Sequence, residues 1–214
     1  MKDLIIIGAG DTGREAVELA ERLNEMGIEN WNILGFVDDN KELIGNSFEG
    51  YTVIGDTNYL NTLRKETYVL CAIGSGVVKK KIVGRINNCK IRFATLIDPN
   101  VYLCRGCSIG EGSLIYAGTA IALNAKVGDH VYISFNCSVG HDSVLEDYCS
   151  VYPGTNISGK VSVRESCEIG TGARIIQGLE IGEGSIIGAG AVVLHDIQGN
   201  CVSVGVPAKV IKTL

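Results

Sequence analysis

The chain has no surplus of basic residues. Its 19 Lys and Arg stand against 24 Asp and Glu, a formal net charge of −5. A phosphate-backbone partner needs clustered cations, so nucleic acid is not the expected partner. Long apolar runs are also missing. None reaches the ~18 residues that would cross a bilayer, and no membrane insertion is expected. The opening MKDLIIIGAG carries a basic residue and a short apolar run. Asp3 interrupts that run and a glycine turn ends it, so it reads as a buried first strand rather than a secretory leader. Cys104 and Cys107 form a lone C-x-x-C with no second one to complete a zinc site. What remains is an ordinary globular balance of 46% apolar and 20% charged residues, which excludes wholesale disorder.

The first third alternates strand and helix. Residues 4–7 (LIII) are apolar and β-branched, and Gly8, Ala9, Gly10, Asp11, Thr12 and Gly13 then spell GxGxxG. Residues 14–26 place Ala16, Val17, Ala20 and Leu23 on one helical face. A second strand over residues 33–37 ends in Asp38 and Asp39. A third, over residues 68–73, ends at Gly74. This order implies a small parallel α/β unit, whose ligands bind at the carboxyl ends of its strands. The glycines let backbone N–H groups approach a diphosphate at a helix N-terminus. Asp38 or Asp39 is placed to accept from a ribose or a base. Gly8, Gly10, Asp11, Thr12, Asp38, Asp39 and Gly74 are therefore the candidate nucleotide-binding residues. Only about 95 residues precede the next pattern, room for half of a dinucleotide fold, which suits a nucleotide sugar better than NAD.

From Leu103 to Val193 every sixth residue is aliphatic, without a slip. Two residues before most of these sits a small side chain, such as Cys107, Ser113, Thr119 or Ala125. Six residues make one short strand and one bend. Three hexapeptides close a triangular coil of eighteen residues, with the aliphatic side chains stacked inside. Strands of adjacent coils then lie about 4.8 Å apart. The pattern is that of a parallel β-helix of just over five coils. Cys107, Cys137, Cys149 and Cys167 share the small slot. They read as reduced structural residues, which points to a cytoplasmic protein.

The hexapeptide array, its closure Gly205-Val206-Pro207-Ala208-Lys209, the start IIGAGDTGRE, Gly35-Phe36-Val37-Asp38-Asp39 and Ala72-Ile73-Gly74 together resemble one family. It is the sugar O-acyltransferase, sialic acid O-acetyltransferase NeuD family. The chain is also similar to bacterial UDP-4-amino-sugar N-acetyltransferases. The resemblance covers nearly the whole chain. It implies a left-handed β-helix over residues 96–214 and a half-Rossmann nucleotide-sugar domain over residues 1–95. It implies a homotrimer, with acetyl-CoA lying along the groove between neighbouring β-helices. The co-substrate positions carried over are Ser150, Gly159, Thr171 and Ala189.

Family catalysis uses a histidine followed by an acidic residue, and the matching pair is His141-Asp142. An imidazole can take a proton at neutral pH, and a carboxylate beside it fixes its tautomer. His141 is expected to deprotonate the attacking group of the sugar. Many relatives carry Glu where this chain has the shorter Asp142. Gly159, one coil after His141, is the expected place for close approach of the oxyanion. The other histidines are His130, in a different slot, and His195, on the same corner three coils away, roughly 14 Å at the usual strand spacing. Their spacing does not supply a three-histidine zinc site, so no metal is expected. The function expected is acetyl transfer from acetyl-CoA to a UDP-linked 4-amino sugar. The alternatives are O-acetylation of sialic acid or another sugar, and a non-catalytic trimeric nucleotide-binding scaffold.

Overall fold

Strand β1 (Lys2–Ile7) is the centre of a mostly parallel sheet. Its residues Leu4, Ile5, Ile6 and Ile7 are buried, as an unbroken aliphatic run must be when both faces of a sheet are covered. Helix α1 (Asp11–Glu25) follows and buries Ala16, Val17, Leu19, Ala20 and Leu23. Then come β2 (Trp31–Val37), the short β3 (Ser47–Phe48), β4 (Tyr51–Gly55), β5 (Thr67–Cys71), α2 (Gly76–Val83) and β6 (Ile91–Phe93). The sheet order is β3-β4-β2-β1-β5-β6, and only the β3–β4 pair is antiparallel. The chain leaves β1 for β2 and β4 on one side, then returns to β5 on the other. The switch of direction falls between β1 and β5, where such sheets open a crevice at the carboxyl ends of their strands. The computed structural model describes residues 1–214 as two compact units. One is Met1–Gly74 with Val78–Leu96, and the other is Ser75–Val77 with Ile97–Leu214.

The second unit is a parallel β-helix with three sheets, one per face. Two-residue strands eighteen residues apart pair in parallel on every face, as in Tyr132–Ile133 on Ser150–Val151. Ile115, Ile121, Val127, Ile133 and their successors to Val193 form one continuous buried stack. The array closes with the antiparallel pair Cys201–Val204 and Lys209–Thr213.

Two features of the coil were less legible in the sequence. The small slot is a hydrogen-bonding slot as well as a steric one. Ser113, Thr119 and Ser143 each donate to a carbonyl fifteen residues on and accept a backbone N–H eighteen on. Cys137, Cys149 and Cys167 donate in the same way. Cysteine thus replaces serine there as a small buried donor. The second feature is the corner: every sixth residue from Gly106 to Gly190 has positive φ. Glycine fills many of these positions, and Asn124, Asn136 and Asp142 tolerate the left-handed conformation better than most side chains.

Candidate active site

His141 sits at the corner between strands Ser138–Val139 and Val144–Leu145. Asp142 occupies the left-handed position beside it, with φ 58°. That backbone turn brings its carboxylate back onto the ring, and Asp142 Oδ2 lies 2.8 Å from His141 Nδ1. The short aspartate therefore makes the direct contact. An ionised carboxylate accepts only, so in the neutral ring Nδ1 carries the proton and Nε2 presents its lone pair. Both side chains are about half exposed.

Asp142 is held below the usual carboxylate range. The hydrogen bond with His141 is the largest cause, followed by one from Asn124, with the nearby Lys160 charge contributing. Asn124 Nδ2 donates to Asp142 Oδ1 at 3.1 Å. One coil further on, the ring of His141 covers Gly159. A Cβ built on Gly159 would stand 2.5 Å from Nε2. Gly159 is buried, and what its missing side chain accommodates is the imidazole.

The other histidines are committed elsewhere. His130 is buried and stacks on Tyr148, with ring centroids 5.1 Å apart and planes at 6°. His195 is followed by Asp196, repeating the dipeptide of the candidate pair. Asp196 Oδ1 instead accepts the backbone N–H of Glu180 at 2.9 Å. The same two residues make a dyad at one coil and a closing turn at another. No group of three or more His, Cys, Asp or Glu side chains could hold a metal ion.

The four co-substrate positions fall on different parts of the prism. Thr171 and Ala189 are exposed and share one corner, one coil apart. Gly159 is on the His141 corner. Ser150 lies on the Ser150–Val151 strand and is fully buried, which is not where a coenzyme-contacting hydroxyl is expected.

In the first unit the glycine motif divides by function. Gly8 has φ 97°, and a Cβ on Gly13 would collide with the Gly8 carbonyl. Both glycines are demanded by the turn. Gly10 is different: its φ is −76°, and a Cβ there would meet nothing within 4 Å. It opens α1 without a side-chain cap, leaving first-turn N–H groups for an anion. Thr12 lies in that turn. Asp11 points away, 98% exposed and 3.5 Å from Arg14. Asp38 accepts from Ala9 N at 2.9 Å and from Asn40 N at 2.8 Å, so it braces the glycine turn. Asp39 accepts from Thr57 N and Oγ1 and from Arg85 Nη1. These bonds with Thr57 and the Arg85 charge outweigh burial and lower its pKa. Both aspartates thus hold the loops around the strand ends. Gly74 lies just past the end of β5, beside the β1–β5 switch.

Residues 3–86 match the PglD N-terminal domain family, and residues 160–195 match the bacterial transferase hexapeptide repeats. The acetyltransferase domain of PglB from Neisseria gonorrhoeae, solved with acetyl coenzyme A, is 32% identical. The match covers 98% of this chain and 99% of that one, with a TM-score of 0.88. The chain belongs to the hexapeptide-repeat sugar acetyltransferases with a PglD-type N-terminal domain. Perosamine N-acetyltransferase from Caulobacter crescentus, solved with CoA and GDP-perosamine, is 29% identical over 99% of this chain and 98% of that one, with a TM-score of 0.88. The UDP-N-acetylbacillosamine N-acetyltransferase of Bacillus subtilis is 32% identical over 120 residues, 55% of this chain and 52% of that protein. Against the serine acetyltransferases of Synechococcus elongatus and B. subtilis, the chain spans about a third and about half of the relative's length. The β-helices of this family are left-handed.

Proposed function

We propose that this protein transfers the acetyl group of acetyl-CoA to the amine of a UDP-linked 4-amino sugar, with His141 as general base. The observation that carries the reading is the His141–Asp142 contact at 2.8 Å, with Nε2 left to take a proton. The sugar nitrogen attacks the thioester carbonyl. His141 Nε2 takes the proton from that nitrogen as the C–N bond forms, and the C–S bond then breaks and CoA leaves as the thiol, taking that proton back from the imidazolium. Asp142 stabilises the imidazolium formed between these steps. The glycine turn and the uncapped start of α1 support a nucleotide diphosphate at the first unit. The Caulobacter enzyme was solved with GDP-perosamine and the Bacillus relative is named for a UDP sugar, so both support an amine acceptor on a nucleotide. Histidine-to-asparagine and histidine-to-alanine variants of the Caulobacter enzyme were solved with both ligands, which fits a histidine that acts in chemistry rather than in binding. The placing of Gly159 on one corner of the prism and of Thr171 and Ala189 on another supports a coenzyme groove completed by a second chain of a homotrimer.

The test is product analysis by chromatography and mass spectrometry. The acceptors are UDP- and GDP-linked 4-amino sugars and hydroxyl-bearing sugars that include sialic acid. We expect an N-acetyl product from the UDP amine. His141→Ala is expected to lose at least ~100-fold in kcat. Turnover of hydroxyl acceptors alone would establish the O-acetyltransferase reading. No turnover with any acceptor would favour the scaffold.

A further inference from the structure

We propose that Asn124 is a positioning residue for the His141–Asp142 pair, a third member whose amide sets the angle of the carboxylate. The proposal rests on the reading of His141 as the base. Asn124 occupies the same left-handed corner slot as Asp142, one coil earlier, with φ 58°. Its Nδ2 donates to Asp142 Oδ1 at 3.1 Å, while Asp142 Oδ2 is the oxygen held by His141 Nδ1 at 2.8 Å. Each oxygen of one carboxylate is thereby tied to a different coil. A half-exposed aspartate with a single bond to a half-exposed imidazole would rotate about its own side-chain torsions. With both oxygens engaged, the carboxylate plane is set, and with it the direction of His141 Nε2.

The column around Asn124 explains its orientation. Gly106, one coil earlier, has no side chain, and a Cβ there would overlap Asn124 Oδ1. The amide oxygen takes that space and the NH2 group turns towards Asp142. Lys160 fills the same slot one coil after Asp142 and faces the carboxylate with a positive charge. Two other asparagines share the left-handed geometry but not the neighbour. Asn136 is followed one coil on by Gly154, and Asn200 follows Gly184 in the closing coil. Neither meets a carboxylate in its column, so the slot admits asparagine for its backbone geometry while only Asn124 meets the dyad.

The test uses Asn124→Gly, which deletes the amide while keeping a backbone that tolerates positive φ, and Asn200→Gly as the matched control. We expect Asn124→Gly to lower kcat roughly tenfold, with KM for both substrates within about twofold. Asn200→Gly is expected to keep the wild-type kcat. Asn124→Asp places a second carboxylate beside Asp142 and is expected to move the acid limb of kcat/KM to higher pH. The decisive comparison is a double-mutant cycle. If Asn124 acts through Asp142, Asn124→Gly with Asp142→Asn is no slower than Asp142→Asn alone. Additive losses in that cycle overturn the proposal, as does a wild-type kcat for Asn124→Gly while His141→Ala is inactive. Full activity of His141→Ala would overturn the base assignment itself and the proposal with it.

Discussion

The imidazole of His141 rests over Gly159, with Nε2 only 2.5 Å from where a Cβ on that glycine would stand. Gly159 and His141 are eighteen residues apart, so the coil period places them in register. The backbone of one coil serves as the seat for the base of the coil before it. Gly159→Ala must therefore push the ring aside. Because His141 is half exposed, the ring has room to move without disturbing the core. We expect kcat to fall roughly tenfold to a hundredfold, the scale of an ångström-sized misplacement. The thermal midpoint should stay near wild type. An unchanged kcat would show that the seat does not set the reacting geometry.

The acid limb of the pH profile should have a slope of one. Asp142 is held below the usual carboxylate range by His141, Asn124 and Lys160, so it stays ionised while the base is protonated. A carboxylate with a lowered folded pKa contributes stability above its unfolded value and loses it as pH falls through the folded one. Any such loss of stability thus belongs to more acidic conditions than the activity limb. A slope of two in log kcat/KM near the activity limb would contradict this order.

The two small-side-chain tests in the glycine motif should separate. Gly10→Ala meets open space at an ordinary φ, so the fold should tolerate it. If a diphosphate approaches that backbone, the added methyl raises KM for the nucleotide sugar about tenfold or more. Gly13→Ala collides with the Gly8 carbonyl and should reduce stability in a urea melt before any kinetic effect is considered. Equal KM for Gly10→Ala and wild type would remove Gly10 from the nucleotide site.

Thiol chemistry should respect the coil. All eight cysteines are free, and Cys71, Cys137, Cys149, Cys167 and Cys201 are buried. Burial pushes the Cys71 thiol up to about 12 and raises that of Cys137. Iodoacetamide on the native protein is therefore expected to modify only Cys89, Cys104 and Cys107, read by peptide mass spectrometry. Labelling of Cys149 or Cys71 without denaturant would show that the interior opens.

The repeat was the most legible part of the chain because its signal is local and redundant. Each inward aliphatic has the same environment as the one eighteen residues later, so one rule is restated at every coil. The left-handed corner slots are present in the same sequence, in Gly106, Gly112, Gly118, Asn124, Asn136 and Asp142. They form a weaker pattern because His130, Tyr148, Lys160 and Ser166 also occupy them. The His-Asp dipeptide was legible twice, at His141 and His195, and sequence alone treats the copies alike. Asp196 is drawn to Glu180 in the closing turn, and that difference arises from where each corner sits in the stack.

By itself the sequence determined the period, the inward faces, the strand–glycine–helix start and the short list of residues able to move a proton. These follow from side-chain polarity and spacing, which act over a few residues. Only the tertiary structure decided that Asp142 reaches His141, that Asn124 grips the other carboxylate oxygen and that Asp38 braces the glycine turn. The reason is that a hydrogen bond depends on tenths of an ångström and on direction. Those are set here by the left-handed turn at Asp142 and by backbone a whole coil or a whole strand away.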